Sequence, residues 1–199
     1  MDPASNLTGK MLIAMPSMSD PRFERSVILV CTHSDEGAMG LVVNRTLDEV
    51  IFKDLLIQLG IDAGEHTMDI PVRFGGPVEP GRGFVLHTLA GRMPDDDDGS
   101  MRIGDDLAMT TTRDILEDFA MGRGPRTAVL ALGYAGWGPG QLDDEIRANG
   151  WLTVDRDNDI IFGRERDTAP SRENDHKWQA ALAKLGVNPL TLSPSAGRA

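Results

Sequence analysis

The sequence predicts an α+β fold, a single domain in which short β-strands outnumber helices. A chain of 199 residues is long enough for one domain with a substantial core. Its apolar runs have the length of strands, and short polar turns separate several of them, which is typical of β-hairpins. Helical periodicity is confined to a few segments between these strands, so a regular alternation of parallel strands and helices is not expected.

The strands are predicted from short apolar segments bounded by glycine, proline or polar residues. Ser26–Thr32 is β-branched and apolar, and the polar turn HSDEG joins it to a second apolar segment, Met39–Val43. These two segments predict a hairpin. The other predicted strands are Met11–Met15, Pro71–Phe74, Gly83–His87, Met101–Ile103, Thr127–Leu132, Trp151–Val154 and Ile160–Phe162.

Four helices are predicted from apolar periodicity and from residues that favour helix ends. Thr46–Glu49 has the spacing of a capping box, although the strand-like run before Lys53 also allows a later start. Thr111–Asp114 is a second capping-box candidate, and its helix is expected to end at Gly122. The other two helices are predicted at Asp143–Ala148 and Glu173–Leu185.

The charge of the chain argues against several classes of partner. The net charge is −11, so direct nucleic-acid binding and attachment to anionic membranes are both disfavoured. No apolar run approaches the ~20 residues needed to cross a bilayer, and the beginning of the chain lacks the basic and apolar segments of a signal peptide. A single cysteine, Cys31, suits a reducing compartment. We therefore expect a cytoplasmic protein.

The segment Gly133–Gly140 has the outline of a phosphate-binding loop, because a strand leads through glycines into a helix. No lysine follows the glycines, and acidic residues at 143–145 occupy the positive end of the helix, where they would repel a phosphate. The glycines are therefore interpreted as structural. Tyr134 and Trp137 are expected to fill the core or the wall of a pocket.

Two further segments are candidates for a binding surface. Gly75, Gly76 and Pro77 predict a tight structural turn, with a rim of backbone N–H groups facing a ligand as the alternative. Arg22 and Arg25 flank Phe23, and they would form an anion or peptide site if they lay near Gly76 or Tyr134. Structural ion pairs are the other interpretation. The predicted ligand or partner surface comprises Gly75, Gly76, Pro77, Tyr134, Trp137, Arg22 and Arg25.

No catalytic, metal or cofactor site is predicted. Cys31 and His33 share one face of a strand, but Cys31 follows four apolar residues and is expected to be buried, with His33 facing solvent at the strand end. The four histidines lack the spacing of a metal site. Asp95–Asp98 is interpreted as a solvated acidic loop.

Six blocks of sequence together resemble one known family. In chain order they are MPSMSDPRFERSVILVC, EGAMGLVVNR, GGPVEPGRGFVLH, TTRDILEDFA, ALGYAGWGPGQLDDEIRANGWLTV and KWQAALAKLGV. They resemble the successive blocks of the bacterial YqgE/AlgH family over about residues 7–190. The resemblance implies one domain at 7–190 with flexible termini at 1–6 and 191–199. It also implies a mixed, largely antiparallel sheet partly curled into a small barrel and flanked by helices.

The family resemblance implies a name more than a mechanism. Members are often labelled transcriptional regulators, and no biochemical activity is firmly attached to them. We therefore favour a non-enzymatic regulatory or accessory protein that acts through a protein partner or a small ligand. The alternative is a hydrolase with a site near the Gly75–Val78 and Gly133–Gly140 loops. It would use Asp143 and Glu145, or the pair Cys31 and His33.

Overall fold

The computed structural model describes residues 6–89, 99–163 and 170–187, with side chains in the last range described from residue 174. Within these ranges it contains nine strands and five helices, and the predicted α+β class is confirmed. The predicted flexible termini lie outside these ranges except for residue 6, and the acidic stretch Asp95–Asp98 lies wholly outside them.

The strands and helices follow one another without a regular alternation. The strands are β1 (Lys10–Ala14), β2 (Val27–Ser34), β3 (Gly37–Val42), β4 (Val72–Phe74), β5 (Val78–Thr88), β6 (Ser100–Ile103), β7 (Leu107–Thr110), β8 (Ala128–Trp137) and β9 (Trp151–Asp155). The helices are α1 (Phe52–Gln58), α2 (Arg113–Ala120), α3 (Gln141–Arg147), α4 (Asn158–Phe162) and α5 (Pro170–Lys184).

All nine strands belong to one sheet, in the order β6-β7-β5-β8-β3-β2-β1-β9, with β4 added beside β8. Only the β4–β8 pair among these strands is parallel, so the sheet is mixed and largely antiparallel. The sheet is curled into a half-barrel, as the family resemblance implied. Arg156, which follows β9, donates to the carbonyl oxygen of Ile103 in β6 at 3.0 Å, so the two outermost strands of the order approach each other.

Both faces of the sheet are buried, which explains the continuous apolar runs in β1 and β2. Met11 and Leu29 point into one cluster, which α4 and α5 cover. Leu12 and Ile28 point into a second cluster, which includes Leu142 of α3. A third cluster joins α1 and α2 to the face of β4, β5 and β8.

Most predicted elements are present, and the errors lie where local patterns compete. The segment Ile160–Phe162, predicted as a strand, belongs to helix α4, whose N-cap Asp157 accepts a hydrogen bond from the N–H of Asp159 at 2.9 Å. Three apolar residues fit either structure, and the capping aspartate favours the helix. Strand β7 was not predicted, because its four residues, LAMT, are all buried and show no alternation of apolar and polar positions.

Both predicted capping boxes are wrong, although both helices exist. Thr46 forms a β-bridge with Arg73, so its backbone is extended, and α1 begins at Phe52 close to the alternative start. In α2 the N-cap is Thr112 rather than Thr111, and its side chain makes no capping bond. A capping-box pattern does not determine whether its first residue starts a helix or, like Thr46, pairs with a distant strand.

A buried asparagine fastens the hairpin of β2 and β3 to α5. Asn44 has no exposed surface, and its side-chain oxygen accepts from the N–H of Val27 at 2.8 Å. Its amide donates to the carbonyl oxygens of Arg25 at 2.9 Å and Asn174 at 3.0 Å. The side chain of Asn44 therefore satisfies three backbone groups that lie 17, 19 and 130 residues away in sequence.

Replacing Asn44 with alanine is expected to lower the free energy of unfolding by about 2–4 kcal/mol, because buried backbone groups lose their partners. Urea unfolding of both proteins measures the difference. The matched control is Asn158→Ala, since Asn158 bonds Asp106 at the surface and its loss should change stability by less than ~0.5 kcal/mol. Equal losses of stability in the two variants would contradict the role of Asn44 in fastening the hairpin to α5.

Candidate functional site

Segments that are distant in sequence meet around one cleft with a volume of about 350 Å³. We call it the aromatic cleft and define it by Arg22, Phe23, Pro77, Trp137, Glu145 and Trp151. The first two residues lie between β1 and β2, and Pro77 precedes β5. Trp137 ends β8, Glu145 lies on α3 and Trp151 begins β9.

The carboxylate of Glu145 organises the tryptophan wall of the cleft. Its Oε2 accepts the indole N–H of Trp137 at 3.0 Å and that of Trp151 at 2.8 Å. Its Oε1 accepts from the side-chain amide of Gln141 at 2.8 Å. Because indole is a donor that seeks a partner when buried, this single carboxylate satisfies both rings and holds them in place.

The aromatic rings of the cleft also pack edge to face. The centroids of Trp137 and Trp151 are 6.1 Å apart, and those of Phe23 and Trp151 are 5.7 Å apart. Trp137 and Trp151 are 7% and 2% exposed, so they form a rigid base, while the half-buried Phe23 reaches the surface. The wall is therefore preorganised before any ligand binds.

Arg22 forms the charged rim of the cleft. It donates to Asp20 through Nη2 at 2.7 Å and through Nε at 3.0 Å, and the guanidinium lies 5.8 Å from the ring centre of Phe23. The hydrogen bond from Arg22 holds the pKa of the Asp20 carboxyl below its ordinary value. The Arg22 side chain is 62% exposed, so the rim remains accessible to a partner.

Three of the predicted surface residues meet in the cleft, namely Arg22, Pro77 and Trp137. Tyr134 lies elsewhere, against Phe84 with ring centres 5.7 Å apart. Tyr134 and Trp137 are three positions apart on one continuous strand, so their side chains lie on opposite faces of the sheet. The structure therefore does not bring the side chains of Tyr134 and Trp137 together on one surface.

Arg25 also lies apart from the cleft. It has a positive φ of 52° and pairs with Asp175 of α5 at 3.0 Å. Its guanidinium lies 5.9 Å from the ring centre of Trp178. These contacts match the alternative of a structural ion pair, which fastens the loop before β2 to the last helix.

The glycines of the GGPV turn pack directly against the backbone of β8. The N–H of Gly75 donates to Leu132 at 2.8 Å, and its carbonyl accepts from the N–H of Val42 at 2.8 Å. A Cβ on Gly76 would lie 2.0 Å from the carbonyl carbon of Tyr134. These contacts support the structural interpretation of the turn, because close backbone approach requires glycine.

The predicted glycine loop is shorter than expected, since β8 continues to Trp137 and leaves only Gly138–Gly140 as the connection. The N–H of Gly138 donates to the side-chain oxygen of Gln141 at 3.0 Å. A group that would face a phosphate is therefore already bonded within the chain. Asp143 and Asp144 lie in the first turn of α3, as the argument from repulsion requires.

Cys31 and His33 do not form a pair. A β-bulge lies between Val30 and Thr32, and Cys31 is buried in the core, where burial raises the pKa of its thiol to about 12. His33 is buried rather than solvent-facing, at 5% exposure, so that expectation is wrong. Its Nδ1 accepts from the N–H of Leu7 at 3.2 Å, and its Nε2 lies 3.4 Å from an oxygen of Asp143.

Residues 6–89, 99–163 and 170–187 hold no group of three or more histidine, cysteine, aspartate or glutamate side chains that could bind a metal ion. No helix in the same ranges combines the length and the apolar composition that a membrane crossing needs.

The sequence patterns did not indicate Trp151 as part of the site, and they placed Phe23 only beside two arginines. Trp151 pairs with Ala14 of β1 rather than with β8, so its position next to Trp137 depends on the order of strands in the sheet. Glu145 was considered only as a carboxylate that repels phosphate or serves a hydrolase. A tryptophan on each side of a short acidic helix was the available signal.

The fold and the cleft define the class of protein as a small α+β half-barrel with a preorganised aromatic cleft. A family model described as AlgH-like matches residues 11–190, within the predicted domain at 7–190. A UPF0301 protein of Paracoccus denitrificans is 68% identical over 199 residues and is covered completely, as is this chain. The chain belongs to the AlgH-like family, so the resemblance noted in the sequence is confirmed.

Another relative and two solved structures agree with this assignment. A UPF0301 protein of Ruegeria pomeroyi is 53% identical, with 98% of this chain and 100% of the relative covered. The solution structure of AlgH from Pseudomonas aeruginosa has a TM-score of 0.73 at 38% identity, and covers 100% of this chain and 99% of that chain. A Corynebacterium diphtheriae protein with a TM-score of 0.69 at 21% identity covers 94% of this chain and 89% of that one, and shows the fold alone.

Glu145→Gln is expected to lower the free energy of unfolding by about 1–3 kcal/mol. The neutral amide cannot form the three charge-assisted bonds of the carboxylate, and it directs a donor at either the indoles or Gln141. Tryptophan fluorescence during urea unfolding measures this change. Asp144→Asn is the control, because Asp144 lies beside Glu145 on the same helix with its side chain 78% exposed. An unchanged midpoint for Glu145→Gln would exclude its organising role.

Cys31 makes stability depend on alkaline pH with a predictable sign. The folded thiol has a pKa of about 12 and the ordinary value is 9.0, so the unfolded chain loses its proton first as pH rises. From pH 8 to pH 10 the wild type should therefore lose about 1.4 kcal/mol more stability than Cys31→Ala. Denaturant unfolding at both pH values tests this, and parallel pH profiles would refute it.

Proposed function

We propose that this protein is a non-enzymatic regulatory or accessory protein that binds a short segment of a protein partner in the aromatic cleft. The observation that carries the proposal is the convergence of Arg22, Pro77 and Trp137, three predicted surface residues from separate parts of the chain, on one cleft. The alternative is that a small ligand, and not a peptide segment, binds in the same cleft.

The chemistry of the cleft favours a peptide-like occupant. Its base is made of rings whose N–H groups are already satisfied by Glu145, so the aromatic surface presents mainly apolar contact. Arg22 uses Nε and Nη2 for Asp20, and a guanidinium has five N–H donors in all. Arg22 can therefore also donate to a backbone carbonyl of a bound segment while aromatic and apolar side chains fill the cleft.

The residues considered for hydrolysis are engaged in bonds that serve the fold. Glu145 accepts from two indoles, and Asp143 lies beside the buried His33. The pKa of Cys31 is far above neutrality, so its thiol is a poor nucleophile. These contacts support a binding role over a hydrolase.

We further propose that any effect on transcription is indirect and that the protein acts in the cytoplasm. The net charge of −11 opposes contact with the phosphate backbone. The unpaired, buried thiol of Cys31 suits a reducing compartment. A mobility-shift measurement at physiological salt should detect no complex with DNA.

Affinity capture from native cells tests the cleft with a matched pair of variants. Arg22→Ala removes a side chain that is 62% exposed and paired with Asp20, and Arg123→Ala removes one that is 64% exposed and paired with Asp118. A partner that binds the cleft should be retained by wild type and Arg123→Ala. Its capture by Arg22→Ala should fall about tenfold or more, because a charge-assisted hydrogen bond contributes ~1.5–3 kcal/mol.

The segment of the captured partner that can be crosslinked to residues beside the cleft is synthesised as a peptide. Calorimetry then measures the affinity of this peptide for wild type, Arg22→Ala and Arg123→Ala. The proposal is supported if the peptide binds wild type and Arg123→Ala more tightly than Arg22→Ala. Equal affinities for wild type and Arg22→Ala would contradict it. If a small molecule is recovered with wild type and not with Arg22→Ala, the occupant of the cleft is a small ligand and the peptide proposal is wrong.

A further inference from the structure

A second apolar cavity, of about 520 Å³, lies between α1 and α2, and none of the residues that line the aromatic cleft line it. We call it the α1–α2 groove. Leu55, Leu59 and Leu116 line its helical walls, and Leu130 and Leu132 of β8 line its floor. Its volume lies within the range of small-molecule sites, and its leucine lining is typical of a site for apolar ligands.

Two glycines of β5 contribute to the open space of the groove. Gly81 and Gly83 both line it, at positions where other strand residues would project side chains. A Cβ built on Gly81 meets no atom within 4 Å, and one on Gly83 would touch only the ends of Leu130 and Leu132, the nearer at 3.2 Å. The absence of side chains here, rather than a gap in the backbone, keeps the groove open.

Two polar side chains of the groove, those of Arg113 and Thr110, are already bonded within the chain. Arg113 is the one charged residue among its described lining, and it donates to Glu117 at 2.8 Å, to the Leu59 carbonyl at 2.7 Å and to the Gly60 carbonyl at 3.2 Å. The hydroxyl of Thr110 lies 2.9 Å from Nε2 of His87. A charged ligand would therefore enter an apolar groove whose only cation is neutralised by its own chain.

Leu59 completes the wall and is 51% exposed, which is unfavourable for a leucine that no ligand covers. We propose that the α1–α2 groove binds an uncharged, largely hydrocarbon small molecule. The site is independent of the aromatic cleft and does not depend on the function proposed for that cleft.

Two fluorescent probes that share one ring system test this proposal. N-phenylnaphthylamine is neutral, and anilinonaphthalene sulfonate carries a negative charge. The full-length protein should bind the neutral probe saturably at one site and the sulfonate at least tenfold more weakly. Excess dodecanol, an uncharged hydrocarbon-chain alcohol, should displace the neutral probe.

Gly81→Leu fills the groove and should weaken binding of the neutral probe at least tenfold. Gly64→Leu is the matched control, since a Cβ there also meets no atom within 4 Å and Gly64 lies outside the groove lining. Neither glycine has a positive φ, so neither change strains the backbone. Thermal unfolding checks that both variants are folded, and Leu59→Gln replaces Gly81→Leu if that variant melts early.

Loss of neutral-probe binding in the groove variant, with retention in Gly64→Leu and in Arg22→Ala, supports the proposal. Three results would overturn it: binding that does not saturate, equal affinity of wild type and the groove variant, or equal affinity for the sulfonate. The last result would assign the groove to an amphiphilic anion or to a protein surface instead.

Discussion

The central strand β8 has to change hydrogen-bonding partners along its length, and the remainder of the sheet depends on that change. Its first half pairs with β4 on one side, and Ala135–Trp137 pairs with β3. Gly133, with a φ of 73°, lies at the transition, and a Cβ there would be 2.3 Å from the carbonyl oxygen of Gly76. Glycines on both segments therefore allow the two backbones to touch, which brings the two parts of the half-barrel together.

The aromatic cleft is a consequence of that geometry. Because β8 remains extended beyond Gly133, its side chains alternate, so Tyr134 enters one face and Trp137 the other. Trp151 reaches Trp137 because β9 pairs with β1 at the far end of the strand order. The short helix α3 then supplies Glu145, and one carboxylate closes the arrangement by accepting from both indoles. A residue that resembles a catalytic acid in the sequence is thus a structural acceptor.

The aromatic cleft and the α1–α2 groove differ in a way that follows from their lining. The cleft has an exposed guanidinium at its rim, so it suits an occupant with backbone carbonyls as well as apolar groups. The groove has leucine walls, and Arg113, its one charged residue among those described, is bonded within the chain, so the groove suits an occupant without charge. The excess of acidic residues across the chain is compatible with both proposed ligands, because neither ligand carries a phosphate group.

The sequence by itself determined the α+β class, the hairpin of β2 and β3, the burial of Cys31 and the poor match to a phosphate loop. These features depend on local periodicity, turn residues and charge within short segments. Only the tertiary structure decided that Ile160–Phe162 is helical, that His33 is buried beside Asp143, and which candidate residues meet. The physical reason is that Phe23, Trp137 and Trp151 become neighbours through strand pairings between distant segments, and no local pattern specifies those pairings.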